Sequence, residues 1–499
     1  MLTNGQVVRL LFGLKLRELR QERGLSPAEL ARTCEVSISY LNEIEKGKKY
    51  PKADKILSFS KALGVRYEQL QSTELPRRLE PIADLLHSKV LQEFPLELYG
   101  LDPARLLELI ADAPARMTAF ISSFFEIARN YEVRQEHLFV AALRSYQEMH
   151  DNYFEDLEQE VRTFAASHGL GTAPPAALVP LEALLTGEYG YQLDRSTLAG
   201  NPVAVAGRLR SVFRPQSRTL LLLASLTPGQ QAFVIGRELA FNYLKLKERH
   251  YASPNILAPR SFEEVLNNFR ASYFASALLM DEDALVTDLR QAFASPTWQP
   301  AAWRALLARY AVSPELLMQR LAALLPRHFG LNSLFFLRFD QPSAAADYRL
   351  TKEIHLSRQH NPHGNELHEH YCRRWVSLRL LADGRTQAPA DGSAHIVLAV
   401  QRSHYFGTDD EYLCLSLARV SADPAAPAMS VTIGLRVDEQ LRQQIAFGDD
   451  PAVPRRIVNE TCERCPIADC QERAAPPTQA ERAARRAALE AAIEELVAG

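Results

Sequence analysis

Cys462, Cys465 and Cys470 lie in the stretch TCERCPIADCQERAAPP at C-x-x-C-x-x-x-x-C spacing, with Pro466 directly after the second cysteine. Three thiolates this close in sequence can hold one metal ion or cluster with little loop-closure cost. A fourth ligand must come from elsewhere, and Cys372 in HEHYCRRW is the candidate. Cys414 falls in EYLCLSLARV, an alternating strand pattern, and reads as core. Four thiolates suit a [4Fe–4S] cluster or, alternatively, Zn²⁺. His355, His360, His363, His368 and His370 leave a three-Cys, one-His zinc site open, although a solvated polar loop accounts for most of them. Unligated thiols are the remaining reading. The chain's 6 cysteines are not spread as a disulfide framework, which fits a reducing, cytoplasmic setting.

A second constellation lies in RELAFNYL at 237–244. Zinc peptidases use His-Glu-x-x-His because a spacing of four places two imidazoles on one helical face. Here Arg237 and Phe241 stand at the histidine positions, and only Glu238 keeps its type. Further along, RASYFASALLMD resembles the Glu-Ala-Asn-x-Phe-Ala-x-x-Leu-Leu-Met-Pro helix of IrrE-like peptidases. That helix supplies the family's third ligand, and Arg270 stands at its position. The resemblance therefore implies the fold without the chemistry, and the chain reads as no enzyme. Arg237 and Arg270 can instead meet an anionic effector, such as the phosphates of an acyl-CoA. Ion pairs with neighbouring carboxylates are the alternative.

The third constellation is basic. Residues 7–72 hold 13 Lys/Arg against 8 Asp/Glu, an excess of five positive charges inside a chain of net charge −3. A local excess of this kind suits a phosphate-facing surface. The segment reads as five short helices punctuated by Gly24, Gly47 and Gly64. Ser26, Pro27 and Glu29 spell a capping box for the second helix. Cys34-Glu35-Val36 makes the turn, with Cys34 a small buried residue, and Ser37 caps the third helix. Leu41 and Ile44 face inward there; Ser39, Tyr40 and Glu43 face outward. SISYLNEIEKGKKYP closely resembles the recognition helix of the XRE family of helix-turn-helix domains. The resemblance implies contacts to double-stranded DNA from Ser37, Ser39, Tyr40 and Asn42, while Lys46, Lys48 and Lys49 can neutralise phosphates.

The elements that must position these groups follow from patterning. At 499 residues with 47% hydrophobic composition, roughly three domains are expected. The fold class is multidomain: a mainly α N-terminal half, with a five-helix head and a helical connector, and an α+β C-terminal half. The expected boundaries are 7–72 for the head, 73–168 for a connector that can serve dimerisation, 181–325 for the IrrE-like domain, 326–478 for the cysteine-bearing domain and 479–499 for a final amphipathic helix. GLGTAPPAALVP (169–180) is a linker. LTPGQQAFVIGRELAFNYLKLKERH reads as one long helix, and RWVSLRLLA as a strand among the β runs after Gly330. No signal peptide and no run of ~18 apolar residues occurs, so no membrane contact is expected.

The order of head, peptidase-like middle, Cys-Arg-Arg-Trp and the three-cysteine tail, with Arg473, Ala474, Pro476 and Pro477, resembles the short-chain fatty acyl transcriptional regulators of the RamB/PrpR type. That resemblance implies control of acyl-CoA metabolism, an acyl-CoA effector and an iron–sulfur cluster on the matching cysteines. A homodimer would carry two heads, and effector or cluster state would alter their spacing on DNA. A structural-zinc DNA-binding protein and an IrrE-like stress-response peptidase are the competing classes, the latter opposed by the missing ligands.

Overall fold

A computed structural model describes residues 4–72, 74–75, 135–171, 178–202, 209–253, 258–356 and 368–498. Most of the expected connector, together with linker residues 172–177 and His360 and His363, lies outside the described residues. The chain divides into two units: Met1–Tyr146 with Leu257–Leu266, and Gln147–Ile256 with Asn267–Gly499.

The first unit contains the five expected helices: α1 (Asn4–Glu22), α2 (Pro27–Thr33), α3 (Ile38–Glu45), α4 (Ala53–Leu63) and α5 (Tyr67–Gln71). Leu16, Leu30, Leu41, Ile44 and Phe59 are each fully buried in one shared core, and such side chains contribute about 1.5–3 kcal/mol each. Gly24, Gly47 and Gly64 all adopt positive φ, as their role between helices requires. Gly13 matters for a different reason. A Cβ there would lie 2.2 Å from the Ile44 carbonyl oxygen, so only glycine lets α1 cross α3 this closely. Arg20 clamps the same crossing with two hydrogen bonds to the buried Glu45 carboxylate, at 2.6 and 2.9 Å.

Helix α6 (Gln135–Met149) leads toward the second unit, which continues with α7 (Glu155–Ser167) and α8 (Leu178–Gly187). A small sheet follows, formed by β1 (Gln192–Asp194), β2 (Ser211–Arg214), β3 (Thr219–Leu222) and β4 (Ala252–Ser253) in the order β1-β3-β2-β4, with α9 (Pro228–Tyr243) between β3 and β4. Thr227 and Gln230 close a capping box at the start of α9, and Pro228 occupies its first turn. The helix is shorter than its sequence pattern suggests. Lys245 takes a positive φ of 55°, and the chain turns back after it. Four helices follow: α10 (Phe262–Leu279), α11 (Glu282–Ala294), α12 (Pro300–Tyr310) and α13 (Pro314–Phe329).

The larger sheet has the order β10-β7-β8-β9-β5-β6, built from β5 (Leu334–Gln341), β6 (Arg349–His355), β7 (His395–Tyr405), β8 (Glu411–Val420), β9 (Ala428–Arg436) and β10 (Arg455–Val458). Strands β5–β9 pair antiparallel, and β10 joins β7 in parallel. Alternation sorts its faces. Leu413, Leu415 and Leu417 pack into the core that holds Leu317 and Leu321 of α13. Tyr412, Cys414 and Ala418 face the opposite core.

That opposite core is covered by α14 (Val376–Thr386), the segment expected as a strand. The alternation Val376-Leu378-Leu380 suggested a strand, yet beyond the first turn the buried positions are Leu378, Leu381 and Gly384, a helical spacing. A Cβ on Gly384 would come within 2.9 Å of Val397, so the glycine brings α14 down onto the sheet. A short α15 (Glu439–Gln444) precedes β10, and α16 (Thr478–Ala498) matches the expected final helix.

Candidate functional site

In the head, the caps expected from the sequence are formed. Ser26 Oγ accepts from the Glu29 amide at 3.2 Å, while Glu29 accepts from the Ser26 amide at 2.7 Å. Ser37 Oγ accepts from the Tyr40 amide at 3.1 Å, which leaves its own proton available for a phosphate oxygen. Ser39 and Asn42 are exposed on α3, and Tyr40 is half-buried. Glu35 carries the turn between α2 and α3 in the left-handed region, and Cys34 is buried beside it, its thiol pushed upward in pKa by burial. Lys46, Lys48 and Lys49 are exposed past the end of α3. Lys49 Nζ pairs with Glu43 at 2.8 Å and lies 5.9 Å from the Tyr40 ring centroid.

One residue of this face escaped the sequence reading. Ile38, at the first turn of α3, is 49% exposed. An apolar side chain there can contact a thymine methyl group. The available signal was its position immediately after the cap, where the inward stripe has not yet begun.

The peptidase-like helix α9 is arranged very differently. Glu238, the one retained motif residue, is 5% exposed and receives two hydrogen bonds from Arg249, one of them at 2.8 Å. Tyr191 donates a third to it at 3.1 Å, and burial beside this carboxylate pushes the Tyr191 hydroxyl up to about 12. The Arg249 guanidinium lies 3.8 Å from the centroid of Phe241, the residue at a former histidine position. Arg237 donates to Asn268 at 2.9 Å and to Ser253 at 3.4 Å. Burial lowers its pKa to about 10, still far above neutrality. Arg270 is half-buried and forms no ion pair with a described carboxylate. The motif positions thus carry a guanidinium held by amide and hydroxyl groups and a carboxylate neutralised by Arg249. Such a set offers no metal ligand pair and no free general base. Arg249 was missed because its sequence position belonged to a presumed helix, whereas the turn at Lys245 returns it to Glu238.

The cysteine segments meet through the backbone. Tyr371 and Thr461 form an antiparallel bridge; the Cys372 amide donates to the Glu460 carbonyl at 3.0 Å, and the Cys462 amide to the His370 carbonyl at 2.7 Å. Cys372, Cys462 and Cys465 are each 6% exposed, and Cys470 is half-buried. Burial, reinforced by nearby Cys462 and Cys465, pushes the Cys372 thiol up to about 11. Arg473 donates to the Cys462 carbonyl at 2.8 Å, to the Cys465 carbonyl at 3.1 Å and to that of Ile467, closing the loop. The Ala474 amide points at Cys462 Sγ at 3.3 Å, a donor of the kind that steadies a ligated thiolate. The donor set and this scaffold fit a thiolate-bound centre. Among the described residues, however, no three His, Cys, Asp or Glu side chains already stand close enough to hold an ion. His370 Nδ1 is engaged by Glu463 at 2.7 Å, and His355 Nε2 by Glu353 at 3.0 Å. Cys414 lies in the sheet core, its thiol pushed up to about 12 by burial.

Residues 11–72 match the helix-turn-helix domain family, and residues 201–322 the IrrE N-terminal-like domain. The chain is 23% identical to the HTH-type transcriptional regulator RamB of Mycobacterium tuberculosis over 300 residues, covering 52% of this chain and 60% of RamB. It is 25% identical over 247 residues to the HTH-type transcriptional regulator PrpR of the same organism, covering 46% and 48%. The chain is thus similar to RamB and PrpR over about half of its length. A propionyl-CoA carboxylase regulator of Cereibacter sphaeroides is 27% identical over 182 residues, covering 32% of this chain and 37% of the relative. The chain therefore spans 60% or less of each of these relatives. No helix among the described residues is long and apolar enough to cross a membrane.

Proposed function

We propose that this chain is a cytoplasmic, homodimeric transcriptional regulator that binds promoter DNA and governs short-chain acyl-CoA metabolism. The observation that carries the reading is the exposed polar face of α3 within a correctly capped helix-turn-helix head. The name of one relative, the propionyl-CoA carboxylase regulator, supports the metabolic assignment. The middle domain serves as scaffold and not as peptidase, because Arg237, Phe241 and Arg270 replace the ligands and Arg249 ties up Glu238.

In this reading Cys372, Cys462, Cys465 and Cys470 hold a [4Fe–4S] cluster, which would supply redox or iron responsiveness when bound. The chain's own part is to bring two segments together through the Tyr371–Thr461 bridge and to close the loop with Arg473. Zinc on the same thiolates is the second reading, favoured by nothing beyond the shared donor chemistry. An acyl-CoA is the effector. Arg270, which has no described carboxylate partner, is the better candidate to meet its phosphates, while Arg237 is committed to Asn268.

Fluorescence anisotropy with DNA from the regulator's own promoter tests the coupling. Propionyl-CoA is expected to change DNA affinity, and an affinity identical with and without acyl-CoA would remove the effector assignment. Anaerobic purification with iron, sulfide and zinc analysis separates the two centres. A brown protein with stoichiometric iron and sulfide is expected; a colourless protein with one zinc would replace the cluster reading by the second one.

A further inference from the structure

Helix α16 stands away from the rest of its unit. Every one of residues 481–497 is exposed, including four large apolar side chains: Leu489 at 62%, Ile493 at 50%, Leu496 at 82% and Val497 at 81%. Leu489, Ile493 and Leu496 recur at spacings of four and three, so they form one stripe. Toward the helix start the same stripe continues through Arg482, Arg485 and Arg486. Toward its end, the polar flanks are acidic: Glu490, Glu494 and Glu495. The helix is therefore basic in its first half and acidic in its second, with an apolar stripe that water now covers.

We infer that α16 pairs antiparallel with α16 of a second copy of this chain. This inference rests on the homodimeric reading above and names the surface that makes the dimer. The charge segregation selects the orientation. In parallel pairing, arginines would meet arginines and glutamates would meet glutamates. In antiparallel pairing centred on Leu489, the Arg482–Arg486 half of one helix lies beside the Glu490–Glu495 half of the other. The arginine stems then cover the partner's Ile493 and Leu496 while the guanidinium groups reach its carboxylates. With 21 residues the helix offers an overlap of about 30 Å. The pairing is isologous, since each helix presents the same surface to the other, and it generates a two-fold pair of chains. Two heads related by a two-fold axis suit a palindromic operator.

Sedimentation equilibrium of the full chain tests this. The wild-type chain is expected to dimerise in the micromolar range. Arg482→Glu with Arg486→Glu places glutamates against glutamates and is expected to weaken the dimer by about tenfold or more, since several exposed pairs change sign at once. Adding Glu490→Arg and Glu494→Arg to that variant restores complementarity and is expected to restore the dimer. Because Arg486 also pairs with Glu490 of its own helix at 2.8 Å, far-ultraviolet circular dichroism of both variants checks that the helix content is kept while the dimer weakens. Leu489→Gln with Ile493→Gln, on exposed positions that do not support the core, is expected to weaken the dimer independently of charge. A dimer indifferent to Arg482→Glu with Arg486→Glu would overturn the α16 interface while leaving the homodimeric reading in place. A chain that stays monomeric throughout the micromolar range would overturn both.

Discussion

Helices α3 and α9 begin alike and end up doing opposite things. Each is capped by a hydroxyl residue, Ser37 or Thr227, and each carries a family motif at helical spacing. On α3 the motif's polar residues, Ser39 and Asn42, point into solvent, while the side chains that hold the helix in place are a separate set, Leu41, Ile44 and the Arg20–Glu45 pair. On α9 the polar motif residues are themselves the internal fastenings: Glu238 is tied to Arg249 and Tyr191, and Arg237 to Asn268. Helical spacing decides which side chains share a face. Whether that face is free to meet a ligand depends on what packs against it.

The comparison is broken most severely at Gly13. Gly13→Leu would drive a side chain into the Ile44 and Glu45 carbonyls, so α1 and α3 cannot both keep their places. Loss of specific DNA binding is expected in an anisotropy titration, while the second unit keeps its own thermal transition. Specific binding by this variant at wild-type affinity would show that the crossing is dispensable.

Next comes the buried pair on α9. Arg249→Met leaves Glu238 without its counter-charge at 6% side-chain exposure, and a loss of about 3–5 kcal/mol is expected in urea unfolding. Combining it with Glu238→Gln should recover much of that loss, because the orphaned charge is then gone. A double variant weaker than either single one would contradict the ion-pair account.

A smaller effect, dependent on pH, is expected at Glu315 near the start of α13. Burial alone would raise its pKa, but Lys352 at the end of a direct ion pair, Arg338 and Arg210 outweigh burial and hold the carboxyl at about 2. A folded pKa below the unfolded value means stability that is complete above about pH 4.5 and lost as pH falls toward 2. Glu315→Gln is expected to cost about 2 kcal/mol at neutral pH, allowing for partial solvent screening. That difference should shrink to nothing in unfolding curves taken at successively lower pH. A cost that does not vary with pH would mean the side chain acts through packing.

The smallest change sharpens the comparison from the other side. Lys48→Ala on the exposed flank of α3 should leave the melting temperature unchanged, weaken DNA binding uniformly across sequences and lower the salt-dependence slope by about one. A slope equal to wild type would place Lys48 away from the phosphates.

Local signals explain how much of this was legible beforehand. The box at Ser26–Glu29 was readable because capping needs only residues within one turn of each other. Strand β8 was readable because alternation is a property of a single strand. RWVSLRLLA misled because a few residues of apolar alternation also fit a short helix, and only the sheet beneath Gly384 decides between them. Arg249 was invisible because its partner lies around a turn that no residue pattern announced.

By itself, the sequence determined the chemistry on offer: a basic, capped head, a peptidase helix without its ligands, and four cysteines in two segments that could share a centre. Only the tertiary structure decided which groups were available. It exposed the α3 face, closed Glu238 under Arg249, and set Cys372 beside Cys462 and Cys465 through the Tyr371–Thr461 bridge. The physical reason is that residue type and spacing are fixed along the chain, whereas burial and charge pairing arise between segments far apart in it. The cysteines show both halves: Cys462, Cys465 and Cys470 lie together along the chain, whereas Cys372 is brought toward Cys462 and Cys465 by the bridge between Tyr371 and Thr461.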